Sequence, residues 1–196
     1  MNPKTSTNHG FKHITAANWQ EPDLPRSFFC YTSDYWVEAH LKPQLGLNVP
    51  SDVAALFEVA RGAMIYGWFF YPIITLGAEQ CLRVLEAGAK ACCENHCIPT
   101  KKRNKKGELL DTSYSDNLDE LEKHRVIPDG EENLWKVARK VRNLTSHPER
   151  QIILTPGFTW GILQATADRL NALLIRPVPI TIPLFLQLRI MNIVDL

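Results

Sequence analysis

The run Lys136-Val137-Ala138-Arg139-Lys140-Val141-Arg142-Asn143-Leu144-Thr145-Ser146-His147-Pro148 brings a guanidinium, a carboxamide and an imidazole within six residues. Pro148 disfavours the α conformation of the residue before it, so a helix arriving here should stop by about Ser146 and leave His147 just past its C-terminus. Arg142 then sits one turn back, and its planar fork is suited to holding a phosphate through two hydrogen bonds. The imidazole titrates near neutrality, with a reference pKa of about 6.5. The C-terminal end of a helix dipole favours the imidazolium by roughly 0.3 to 1 kcal/mol, which keeps an acid form available near pH 7. Together these groups suit phosphodiester cleavage that needs no metal and no cofactor. One group moves a proton at a ribose 2′-hydroxyl or at the leaving oxygen, and a cation neutralises the charge building on the phosphate. Geometry alone equally allows a plain helix C-cap, with both cations answering the dipole.

The elements that must position these residues read as helices. Residues 1 to about 50 carry Pro22, Pro25, Pro43 and Pro50 among aromatics, too closely spaced for long helices, and read as an irregular extension packed on the core. Ser51 or Asp52 offers an N-cap to an apolar run of Val53, Leu56, Phe57, Ala60 and Met64, and Tyr71-Pro72 should break or kink this helix. A second long helix carries Ile73, Leu76, Cys81, Leu82, Leu85 and Ala89 at helical spacing. Residues 98–113 show no apolar period and read as a solvated loop, and Leu118, Leu121 and Val126 mark a short third helix. Leu134, Val137, Ala138, Val141 and Leu144 form the stripe of a fourth helix, the one that ends at His147. Thr155 and Pro156 open a fifth, and Pro177, Pro179 and Pro183 make 177–196 an extended tail. The expected class is all-α, an up-down bundle of four to five helices over 51–176.

Arg142-Asn143-Leu144-Thr145-Ser146-His147 resembles the Arg-polar-x3-His motif of the HEPN superfamily. The paired helices around Ala60–Pro72 and Glu79–Ala87 are similar to those of bacterial members, and the likeness covers roughly residues 51 to 175. The resemblance implies a HEPN-like helical bundle and a metal-independent endoribonuclease yielding a cyclic phosphate and a 5′-hydroxyl. It also implies a homodimer whose two motifs meet at the two-fold axis, in a toxin–antitoxin or antiviral-defence setting. Arg142 would hold the phosphate, His147 would act as the acid/base, and Asn143 would orient the site. A nucleotidyltransferase-like antitoxin is the partner such toxins take. Other members have lost catalysis, which implies a non-catalytic RNA- or protein-binding module as the alternative.

Lys136, Arg139 and Lys140 lie within two turns of Arg142 and are candidates for contact with an RNA backbone; Lys101 to Lys106 adds five cations in six positions. Glu79 and Glu86 are candidates to pair with Arg142. Cys92, Cys93, His96 and Cys97 invite a zinc reading, but no second pair of ligands comes after them, so no metal site is expected. Neither a phosphate-binding Gly-rich loop followed by Lys-Ser/Thr nor a Gly-x-Ser-x-Gly elbow occurs, which disfavours nucleoside triphosphatase and α/β-hydrolase chemistry.

With 22 Lys+Arg against 21 Asp+Glu and a net charge of +1, the chain has no global attraction to nucleic acid, so binding must come from local patches. At 196 residues it can bury roughly 70% of its unfolded surface without staples. Five cysteines, odd in number and without a signal peptide before them, point to a reducing cytoplasm. Gly62–Ala78 is uncharged, but Pro72 and the amphipathic pattern after it fit a buried core helix and no membrane span.

Overall fold

The computed structural model describes residues 12–23, 32–127, 135 and 154–175. Five helices and one small hairpin have their bounds within this set: α1 (Ser33–Leu41), α2 (Ser51–Tyr66), α3 (Ile73–Asn95), β1 (Lys101–Arg103), β2 (Leu109–Asp111), α4 (Tyr114–Lys123) and α5 (Pro156–Ile175). The expectation of a helical fold holds at this level: the described residues form a mostly helical structure of five packed helices, to which a small two-stranded hairpin is added. The expected fourth helix, apart from Trp135, and the tail 177–196 lie outside the described residues.

The central element is α3, whose 23 residues span about 35 Å. Pro72 cannot donate a backbone hydrogen bond, so the chain breaks cleanly between Tyr66 and Ile73 and doubles back. Helices α2 and α3 thereby lie antiparallel, with Val53, Phe57, Ala60 and Met64 facing Ala78, Cys81, Val84 and Leu85 in one core. Gly77 makes that approach close: a Cβ there would stand 2.6 Å from Met64 Cγ and 3.0 Å from the Ala60 carbonyl oxygen. Helix α5 runs in the same direction as α3. Leu154 meets Thr75 at one end, and Cys92 Sγ approaches the Leu173 carbonyl at 3.8 Å near the other. Pro156 opens α5 as its sequence predicts, and Leu163, Ala167 and Leu170 are fully buried.

The N-terminal extension is less irregular than its prolines suggest. Thr32 caps α1 by accepting from Tyr35 N at 3.2 Å, and the helix buries Trp36 and His40. Those two join Trp68, Tyr71, Ile74 and Trp160 in a second, mainly aromatic cluster.

Both α3 and α4 stop in a left-handed residue that is not glycine: Cys97 at φ 56° and Arg125 at φ 55°. After each, the next amide reaches back into the helix, Ile98 N to Cys93 O at 2.8 Å and Val126 N to Leu121 O at 2.9 Å. Ile98 and Val126 are buried against the core, completing a Schellman motif at both ends.

Candidate nucleic-acid interface

The residues with the strongest chemical pattern, Arg142, Asn143 and His147, together with Lys136, Arg139 and Lys140, lie outside the described residues. The structure does describe how the chain is held on either side of them. Trp135 is helical, 3% exposed and part of the main core. Leu154 is pinned to the start of α3, its carbonyl accepting from Tyr71 Oη at 3.0 Å and its amide donating to Thr75 Oγ1 at 3.3 Å. Glu79 and Glu86 are half-buried on α3. Burial pushes the Tyr114 phenol above its usual pKa, the Arg169 charge opposes this and the Glu86 charge adds to it, which puts Glu86 in electrostatic range of Tyr114.

The basic stretch expected as a solvated loop is an ordered antiparallel hairpin. Lys101 faces Asp111, Lys102 faces Leu110 and Arg103 faces Leu109. All six strand residues are exposed, so neither face needs an apolar residue and no period of two is written into the sequence. The ladder is extended at its base by Thr112 N donating to Thr100 O, and closed at its tip by Asn104 N donating to Glu108 O, each at 2.9 Å.

At the base, Lys102 Nζ lies 2.6 Å from Asp116 Oδ2, and Lys90 Nζ 3.3 Å from Asp111 Oδ1. Asp116 also completes the capping box of α4, accepting from Ser113 N at 2.7 Å while Ser113 Oγ accepts from Asp116 N. The hydrogen bond from Lys102 and those from Ser113 hold the Asp116 carboxyl well below the usual carboxylate range. Lys102 is thus committed to structure. The cleft of about 380 Å³ beneath the hairpin joins Lys101 and Lys102 to Asp116, Asp119 and Glu120, an acidic wall that a phosphate would avoid. Arg103, Lys105 and Lys106 form no ion pair among the described residues.

In the cysteine cluster, Cys97 is exposed. Cys92 and Cys93 are buried, the latter approaching the Asn117 carbonyl at 3.6 Å. Burial, with Glu120 and Glu94 nearby, pushes the Cys93 thiol up to about 11, and burial pushes Cys81 up to about 12, so both stay protonated near neutrality. Burial and the His124 charge lower the pKa of the neighbouring His96. No three His, Cys, Asp or Glu side chains among the described residues are grouped to hold a metal. No helix among them is long and apolar enough to cross a membrane.

Sequence reasoning missed His40. Its Nδ1–H donates to the Trp36 carbonyl at 2.7 Å and its Nε2 accepts from Trp160 Nε1 at 2.8 Å, an arrangement that selects one neutral tautomer. Burial, only partly offset by the Trp36 hydrogen bond, lowers its pKa to about 4. The available signal was the i, i+4 pair Trp36 and His40 behind the Thr32 cap.

Compared with known proteins, the chain matches no family model, no curated protein and no solved structure.

Proposed function

We propose that this chain is a metal-independent endoribonuclease of HEPN type, acting as a homodimer with the motif at the two-fold axis. The observation that carries the reading is the Arg142-Asn143-x3-His147 spacing closed by Pro148, in a chain whose described part is a helical bundle. Support also comes from the anchoring of Trp135 and Leu154, which ties the motif-bearing stretch to the core on both sides. In this reading Arg142 binds the scissile phosphate, His147 carries the proton and Asn143 orients the pair, while Lys136, Arg139 and Lys140 track the RNA backbone. A toxin or antiviral role, masked by a nucleotidyltransferase-like antitoxin, accords with such chemistry in the cytoplasm.

The test is incubation of the full chain and of His147→Ala with transfer RNA and a structured RNA in EDTA, followed by mapping of the product ends. Cyclic-phosphate ends from the wild type, with a rate lower by about 100- to 10,000-fold in His147→Ala, are expected. Cleavage that needs added metal, or survives in the variant, overturns the reading. RNA binding without cleavage by the wild type replaces it with a non-catalytic RNA-binding module.

A further inference from the structure

We infer that the β1–β2 hairpin is a preformed nucleic-acid arm, in which Arg103, Lys105 and Lys106 hold the phosphate backbone of single-stranded RNA. The choice of RNA as the ligand rests on the proposed ribonuclease function, and the arm can fail independently of the catalysis.

The first support is the division of labour among the cations. Lys102 is bound to Asp116 and anchors the arm to α4, while Lys90 of α3 fixes Asp111 at the other strand. Arg103 gives Nη1 to the Gly107 carbonyl at 2.8 Å, which orients the guanidinium and leaves the rest of its fork open. Lys105 and Lys106 stand at the tip, exposed. Glu108, the next acid along the chain, accepts from Asn104 Nδ2 at 2.6 Å.

The second support is rigidity. Asn104 Oδ1 accepts from Lys106 N at 2.8 Å and from Glu108 N at 3.0 Å, Gly107 N donates to Asn104 O, and Gly107 takes φ +82°, which a side chain would resist. At the base, Thr112 Oγ1 donates to Asn117 Oδ1 at 2.5 Å. A turn fixed this way loses little further entropy when its cations bind, unlike a loose lysine loop.

The third support is what the hairpin does not do. Every strand residue is exposed, including Leu109 at 57% and Leu110 at 48%, so the element adds almost nothing to the core. A two-stranded hairpin gains little from its own pairing. Lys101 also forms no ion pair among the described residues but lines the acidic cleft, whereas Arg103, Lys105 and Lys106 lie toward the tip and do not line it.

The test uses the full chain carrying His147→Ala, so that RNA is not consumed, and a 5′-labelled single-stranded RNA read by fluorescence anisotropy over a salt series. Replacing Arg103, Lys105 and Lys106 together by Gln should weaken binding about tenfold near 0.1 M salt. It should also make the log affinity against log salt slope shallower by about two, since each contact on a single strand contributes about 0.7. Arg103→Lys with Lys105→Arg and Lys106→Arg should restore the slope. Circular dichroism and the melting temperature check that both variants keep the bundle. An unchanged affinity and slope in the Gln variant overturns the arm, as does failure of the parent to bind RNA. Displacement of RNA by poly-glutamate at equal charge overturns it in favour of an acidic protein partner. Loss of binding in the Gln variant, beside a wild type that cleaves nothing in EDTA, keeps the arm and removes the ribonuclease reading.

Discussion

The cluster around His40 and the hairpin around Asn104 both depend on polar side chains, yet they use them in opposite ways. At His40 each ring nitrogen has a partner, the side chain is fully buried, and the rings of Trp36 and Trp160 pack against it. At the hairpin every strand residue meets solvent, and its shape is held by exposed or half-exposed contacts such as Lys102 with Asp116 and the Asn104 turn. The first region turns polarity into stability, because an unpartnered group in a dry site costs about 1 to 3 kcal/mol. The second leaves charge available, because exposed pairs contribute at most about 1 kcal/mol and can be exchanged for a ligand.

The sharpest way to break this contrast is Trp36→Ala. Its indole donates to the Ile65 carbonyl at 3.0 Å and is 1% exposed, so its loss should cost about 3 to 5 kcal/mol in urea unfolding. A cost below about 1 kcal/mol would mean the aromatic cluster is no second core. Next is acid. The folded pKa of His40, about 4, lies below its ordinary 6.5, so on acidification the unfolded chain takes up the proton first. The contribution is complete above pH 6.5 and is lost as pH falls toward 4, by roughly 3 kcal/mol in all. Unfolding at pH 7, 5.5 and 4.5 reads that slope, and His40→Gln should flatten it. Smaller is Ser113→Ala, which removes one half of the α4 capping box and should cost about 1 kcal/mol by thermal melting. Smallest is Lys102→Gln at about 0.2 to 1 kcal/mol, with the two partners' side chains 56% and 35% exposed. A loss there as large as that of Trp36→Ala would erase the distinction between the two regions.

The legibility of each element in the sequence depends on how much of it is buried. Helices α2, α3 and α5 bury one face each, so Val53, Phe57, Cys81, Leu85, Leu163 and Leu170 write a helical period that can be read directly. Helix α1 is short and lies among prolines, and its place is set by contacts with Trp68 and Trp160, far away in the chain. The hairpin buries neither face, so its sequence carries charge and a turn but no alternation. Of the candidate site, residue type and spacing at Arg142, Asn143 and His147 were legible, and those positions lie outside the described residues. The separation of Lys102 from its neighbouring cations was not legible, because it depends on Asp116 arriving from α4.

The two helix ends at Cys97 and Arg125 carry a consequence for engineering. A side chain held at positive φ forfeits on the order of 1 kcal/mol, and glycine at the same place does not. Cys97→Gly and Arg125→Gly therefore offer reserves of thermostability at positions that neither line the aromatic cluster nor belong to the arm. A chain strengthened there would have margin to absorb the destabilising changes that altering an RNA-binding surface brings.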